Sequence, residues 1–281
     1  MIDSLSMKRV GILYHPKTEK AKAFSQELEK FLKARGVSFW TCSAWEEDKA
    51  KPQIADSELI LSIGGDGTIL RAVRAAIPHA VPIVGINLGN LGFMTELKAG
   101  ETFEKLPRLL DGDGWIEERT MLEAKLPSQG EVLNAMNDVF VGRRSSARLV
   151  HVETRVDGEV LANYRADGVI VATATGSTGY SLAAGGPILY PQAKEIIVKP
   201  VCPHLALDRA VVLPAEAEIQ IKVTTTHEAM LSIDGQVEMP LHSGDEVKIK
   251  RSLHVARFLR IRPKAYFYSY LESRLKGKGG V

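Results

Sequence analysis

Apolar and polar positions give the chain two rhythms. Up to Leu110, short apolar runs alternate with stretches of helical periodicity; after Trp115, brief β-branched runs are separated by turns. Residues 8–14 predict a buried strand, and residues 18–35 carry Ala21, Phe24, Leu28 and Leu32 at helical spacing, with Thr18 as N-cap and Gly36 as stop. Residues 37–42 predict a second strand, and a charged segment through Lys51 leads to a third at 58–62. A helix to about Ile77, a strand at 81–86 and a helix at 101–110 follow. Strands alternating with helices imply a parallel, Rossmann-like sheet with helices on its faces and ligands at the carboxyl ends of its strands.

The turn run Asp111-Gly112-Asp113-Gly114 marks the change of rhythm, so the α/β domain is read as 1–112 and a β-rich, sandwich-like domain as 113–262. The strand signals of the second domain are 150–156, 160–164, 168–173, 210–213, 219–223, 230–233 and 246–250, with Asp157-Gly158 as a hairpin turn. Residues 266–275 predict a short helix packing back on the first domain, so 263–281 rejoins it, with a basic, glycine-rich tail from Lys276. No internal repeat is visible.

Composition narrows the class. With 36 basic and 34 acidic side chains in 281 residues, no overall field favours nucleic acid or an anionic membrane. Cys42 and Cys202 form no zinc or disulfide spacing, which fits a reducing cytoplasm. Residues 1–9 lack a signal-peptide core, and no apolar run is long enough to span a bilayer. The seven histidines show no ligand spacing, Arg143-Arg144 and residues 248–251 read as solvated faces, and neither a Walker loop nor G-x-G-x-x-G occurs.

Four stretches carry candidate chemistry. Gly64-Gly65-Asp66-Gly67-Thr68 reads as a glycine turn from a strand into a helix, whose amides suit an anion. A carboxylate among phosphate-binding amides repels phosphate unless it holds a metal or takes a proton from a hydroxyl, so Asp66 is either a chemical group or an ordinary N-cap. In residues 164–187 a strand enters a loop of hydroxyls and glycines, Thr175-Gly176-Ser177-Thr178-Gly179, before a helix start; more small polar residues stand there than one cap needs. The same loop nearly matches a hydrolase elbow, with Ser177, Asp208 and His227 in the required order, but a hydrolase leaves the Gly64–Gly67 loop unexplained. Asn137-Asp138 could serve a ribose diol or an adenine edge, or simply turn the chain, and Asp234-Gly235-Gln236 reads by default as a hairpin turn.

Together with Asn87–Phe93, Tyr164–Gly168, Gly185-Gly186-Pro187 and Cys202-Pro203-His204, these stretches resemble, in order and over nearly the whole chain, the prokaryotic type of NAD kinase. The resemblance implies transfer of the γ-phosphoryl of ATP, or of a phosphoryl from polyphosphate, to the 2′-hydroxyl of the adenosine ribose of NAD, with Mg²⁺ or another divalent ion. It implies Asp66 as base or orienter of that hydroxyl, and Gly67 and Arg71 near the dinucleotide. Asn137 and Asp138 match ribose and adenine contacts. Arg148, Arg165, Asp167, Thr175, Thr178, Gly179, Tyr180, Ser181, Leu182 and Ala183 match further NAD-contacting positions, with Gln236 closing the site. In the family Asp167 reaches the nicotinamide side of a site shared between subunits, which implies a homodimer or homotetramer.

Two departures stand out. Ala174 and Gly179 replace a proline and an alanine usual in the family's loop, which loosens it and predicts an altered preference between NAD and NADH. The C-terminal segment also lacks a tryptophan common there. A lipid kinase sharing the glycine loop and a non-catalytic NAD sensor remain as alternatives. The first lacks an amphipathic membrane stretch, and the second gains little from Asp66 beside phosphates.

Overall fold

The structure is a computed structural model, and it describes residues 7–89, 92–126, 130, 132–144, 148–204 and 206–276, with side chains as far as Glu272. The chain divides into an α/β unit, Met1–Glu118 with Ala256–Val281, and a β unit, Arg119–Val255. The expected boundaries at 112/113 and 262/263 therefore move, and the new crossings fall inside strands rather than at the glycine turn. Residues 115–118 and 256–262 bond within the α/β unit, as Glu117 to Arg260 and Trp115 to Arg262 do.

The α/β unit begins β1 (Arg9–Tyr14), α1 (Glu19–Ala34), β2 (Ser38–Ser43), α2 (Glu47–Ile54), β3 (Leu59–Ile63), α3 (Asp66–Ala76), β4 (Ile83–Asn87), β5 (Leu97–Lys98) and α4 (Ala99–Leu110). Its strands run parallel in the order β2-β1-β3-β4, with β5 alongside the end of β4. α1 buries Ala21, Phe24, Leu28 and Leu32, the predicted face; Thr18 is its N-cap but makes no side-chain cap bond. α2 was not foreseen: only Ala50 and Ile54 are buried, and Pro52 lies inside it, so periodicity had little to report. β3 is buried at every position, the mark of a central parallel strand.

The β unit holds β6 (Trp115–Lys125, entering from the α/β unit), β7 (Val132–Ala135), β8 (Asp138–Arg143), β9 (Val150–Val156), β10 (Glu159–Ala166), β11 (Gly168–Ala172) and the short α5 (Tyr180–Ala183). After them come β12 (Ile196–Val201), β13 (Val211–Leu213), β14 (Ile219–Thr224), β15 (Ala229–Ile233), β16 (Val237–Leu241) and β17 (Glu246–Arg260), the last leading back to α6 (Tyr266–Lys276). One antiparallel layer follows the order β13-β12-β11-β8-β15-β16. In the other, β9 lies between β10 and β14, and β14 pairs with the first half of β17. Val139, Val141, Val169 and Val171 from one layer share a buried core with Val152, Ile219, Ile221 and Val247 from the other, so the sandwich expectation holds. Asp157 (φ 51°) and Gly158 (φ 87°) make the predicted hairpin turn. β12 escaped prediction because Pro200 argues against a strand; β13 covers only Ile196–Val198 and leaves the outer side of Pro200 unpaired.

The C-terminal segment returns to the α/β unit as expected. Phe258 pairs with Ile83, and buried Glu96 accepts the amides of Ile261 and Arg262 at 3.0 and 2.9 Å while Arg260 reaches it at 3.2 Å. Trp115 Nε1 donates to the Arg262 carbonyl at 2.8 Å. Asn90, Leu91 and the tail beyond Lys276 lie outside the described residues. No helix among the described residues is long and apolar enough to cross a membrane.

Candidate functional site

In the α/β unit, the glycine run turns the chain from β3 into α3. Gly65 is the N-cap, Asp66 is the first helical residue, and no side chain caps this end. The plain N-cap reading of Asp66 is therefore set aside. Its Oδ2 accepts the amide of Phe93 at 2.9 Å and its Oδ1 that of Met94 at 3.1 Å, both from the loop after β4. Two charge-assisted bonds fix the carboxylate's direction and leave lone pairs for another donor. Gly92 permits this approach, since a Cβ there would lie 2.2 Å from Asp66 Oδ1. Asp66 is half-buried while Gly65 and Gly67 are exposed, so solvent and ligand can reach the turn. Of the three glycines only Gly64, at φ 155°, uses a positive φ.

Arg71 lies one helical turn beyond Gly67, on the same face of α3. Its guanidinium sits over the Trp45 ring, 4.3 Å from the centroid, and Trp45 meets His15 edge-on at 4.6 Å. Burial, and then the charge of Arg74, lower the Arg71 pKa. Nothing in the sequence singled out Trp45, because a lone tryptophan in a charged segment carries no pattern.

In the β unit, a cavity of about 580 Å³ is lined by Asn137, Asp138, Arg143, Asp167, Tyr180 and Asp234, among others. Asn137 and Asp138 stand at the corner between β7 and β8, so they turn the chain and also line the cavity. Asp234 gathers three amides there: Met136 on Oδ2 at 2.9 Å, and Asn137 and Asp138 on Oδ1 at 2.7 and 3.1 Å. From the other side Thr173 Oγ1 donates to the Met136 carbonyl at 2.7 Å, and the Thr173 amide to that of Asn137 at 2.9 Å. Gly176 packs against the same corner so closely that a Cβ would stand 2.0 Å from the Asn137 oxygen.

Three polar atoms in the described residues of these segments lack a partner, of which only that of Asn137 belongs to a cavity-lining residue. Asn137 Oδ1 is buried without a partner, as are Thr175 Oγ1 and Ser181 Oγ, among the described residues. Asp138 is 7 % exposed. Its pKa is pushed up to about 7, chiefly by burial and then by the charge of Asp234. Gly179 lies beside both, its Cβ position 3.8 Å from Asn137 Nδ2 and from Asp138 Oδ2. Tyr180, 43 % exposed, has its pKa raised by burial and by Asp167, Cys202 and Asp138, against the opposing pull of Arg143. Arg143 is no solvated bystander: it binds Asp167 through two nitrogens, at 2.7 and 3.1 Å.

Other predicted residues fall elsewhere in the β unit. Arg148 is exposed, 3.3 Å from His227 Nε2, and Arg165 is exposed with its carbonyl on the His204 amide. Gln236 closes the β15–β16 turn through its amide on Ile233. Thr178 is buried and donates to the Thr175 carbonyl at 3.1 Å, while Leu182 is half-buried and Ala183 exposed. The helix expected after this loop is one turn, Tyr180–Ala183, too short for a large dipole. The hydrolase reading fails at its nucleophile: Ser177 Oγ is fully buried, donates to the Ala174 carbonyl at 2.6 Å and accepts the Leu189 amide at 3.0 Å.

Comparison with known proteins agrees with this layout. Residues 40–114 match the model of the ATP-NAD kinase N-terminal domain, and residues 136–261 that of its C-terminal domain. A curated NAD kinase of Dehalococcoides mccartyi (strain BAV1) is 44% identical over 96% of each chain. One of Chloroflexus aggregans is 39% identical over 96% of this chain and 99% of its own. Among solved structures, yeast NADH kinase complexed with NADH gives a TM-score of 0.88 at 26% identity, covering 99% of this chain and 90% of that one. The NAD kinase of Archaeoglobus fulgidus in complex with ATP gives 0.78 at 27%, covering 95% and 98%. Both rhythms of the sequence thus match one family, in order and nearly end to end, and the chain belongs to the NAD kinase family.

Proposed function

We propose that Asp66 is the base in a phosphoryl transfer from ATP to the 2′-hydroxyl of the adenosine ribose of NAD, giving NADP and ADP. The ribose oxygen attacks the γ-phosphorus, the bond from that phosphorus to the β–γ bridging oxygen breaks, and the hydroxyl proton passes to the Asp66 carboxylate. The observation that carries this reading is the half-buried carboxylate, aimed by the Phe93 and Met94 amides at the start of α3. A protein that only binds NAD has no use for a carboxylate so placed, and that counts against a sensor.

In the β unit the unpartnered Asn137 Oδ1 and the Asp138 carboxylate supply acceptors suited to an adenine amino group and a ribose diol. Tyr180, Asp167 and Arg143, which line the same cavity, serve the remainder of the dinucleotide. Mg²⁺ is the expected ion, arriving on the phosphates of ATP. Among the described residues no three His, Cys, Asp or Glu side chains stand together as a ligand set, which fits an ion held mainly by phosphate oxygens and water with at most one or two carboxylates. A homodimer or homotetramer is expected, as is a reducing cytoplasm, which the free thiols of Cys42 and Cys202 support. The mass from light scattering tests the first.

The decisive experiment measures NADP formation by the purified protein with NAD, Mg²⁺ and either ATP or polyphosphate, with Asp66→Asn alongside. NADP from the parent protein and not from the variant upholds the reading, and the paired donors assign the phosphoryl source. NAD binding without any turnover would favour the sensor.

A further inference from the structure

Asp234 lies in a hairpin turn that, from sequence, needed no function, yet its bonding is unlike that of a turn residue. A turn aspartate usually caps amides two residues along its own chain. Asp234 instead reaches a corner almost a hundred residues away in sequence and takes all three of its successive amides, at 2.7–3.1 Å. Its own amide donates back to the Asp138 carbonyl at 2.9 Å, so the two segments clasp each other. Asp234 (φ 53°) and Gly235 (φ 64°) make an Asp-Gly hairpin turn like that of Asp157-Gly158, so the turn supplies the conformation from which the side chain reaches the corner. The corner so held presents Asn137 and Asp138 to the cavity.

We propose that Asp234 is a positioning residue for dinucleotide binding: by gathering the Met136, Asn137 and Asp138 amides it sets where the Asn137 amide group and the Asp138 carboxylate meet NAD. This rests on the NAD reading given above. Three inward amides also bring their positive ends to the Asp234 carboxylate, which holds its charge there and so places a fixed negative charge beside Asp138. The position and the charge are supplied by one side chain. The other ionisable groups lining the cavity around Asp138 are Arg143, Arg144, Asp167, Tyr180 and Glu238. Arg143 and Asp167 bind each other, and Asp234 is the charge that acts on Asp138.

Asp234→Asn separates the two contributions from general damage. The amide keeps one oxygen for Asn137 and Asp138, loses the acceptor for Met136 and removes the charge. The dissociation constant for NAD, measured by calorimetry from about pH 5.5 to 8.5 on parent and variant, should rise about tenfold at the alkaline end, the cost of one charge-assisted bond. The midpoint of its pH dependence, near 7 in the parent, should move to lower pH because the repelling charge is gone. A merely structural role would weaken binding equally at every pH and leave the midpoint in place, which overturns the proposal. Equal affinity in parent and variant overturns it too, leaving the kinase reading intact. A parent that binds no NAD overturns both, and Asp234→Ser, which removes charge and acceptors together, should repeat the shift if Asp234→Asn folds poorly.

Discussion

Asp66 and Asp234 are bonded alike and hold different segments of the chain. Each carboxylate accepts backbone amides from a distant loop, two for Asp66 and three for Asp234. At Asp66 the amides come from the loop after β4, which packs against the carboxylate through Gly92 beside the exposed glycine turn. At Asp234 the amides belong to the corner that carries Asn137 and Asp138, so the carboxylate builds the shelf on which other groups act. Both carboxylates keep acceptor capacity beyond these amides, so what separates them is the segment each one holds: the loop after β4 for Asp66, the corner that carries Asn137 and Asp138 for Asp234.

The sharpest break in that comparison is Asp66→Asn. Loss of the base should lower kcat by about 10²–10⁴ with NAD affinity changed by no more than about threefold, read from initial rates and calorimetry. Gly92→Ala comes next. Its Cβ would stand 2.2 Å from Asp66 Oδ1, so either the loop or the carboxylate must shift, and a misaimed base should cost about 10² in kcat while NAD still binds. Normal turnover in Gly92→Ala would mean that the aim of Asp66 is set by something other than these two amides.

Asp138 distinguishes the second region by pH. A diol donating to a carboxylate binds its ionised form, so with a pKa of about 7 the KM for NAD should fall about tenfold between about pH 6 and pH 8. Stability runs the other way. Folding raises this pKa from 3.8, so the protonated group stabilises the fold below its unfolded pKa, and that contribution is lost as pH rises through about 7. Asp138→Asn should therefore raise Tm at about pH 8 and change it little near pH 4, by differential scanning calorimetry. The smallest effect belongs to the loop beside them. Ala174→Pro with Gly179→Ala should stabilise by about 0.4–1 kcal/mol if the backbone accepts both. The Gly179 Cβ would meet the Gly176 backbone oxygen at 3.3 Å from a backbone at φ −100°, ψ −126°, so the sign of the change reads whether that turn can give by a few tenths of an ångström. Comparing NAD and NADH as substrates of this variant and its parent tests whether the looser loop sets the choice between them.

The elements of the α/β unit were legible because central parallel strands are uniformly apolar and α1 and α3 show one apolar stripe each. α2 was not, with two buried apolar residues and an internal proline. The glycine turn around Asp66 was legible as a strand-to-helix turn, whereas Trp45 under Arg71, Arg143 on Asp167 and Thr173 at the Met136 carbonyl were not. Each acts through a partner remote in sequence and shows no local spacing of its own.

By itself, then, the sequence determined the two rhythms, the glycine turns and the ordered stretches that mark the family. Those follow from local rules, the reach of a side chain to its own turn and the period of its own element. Tertiary structure decided which oxygen each donor meets. Asp66 finds its amides 27 and 28 residues on, and Asp234 finds its amides 96 to 98 residues back. Those pairings depend on which loops the two sheets bring together, and strand order is settled by the burial of whole faces rather than by any single residue.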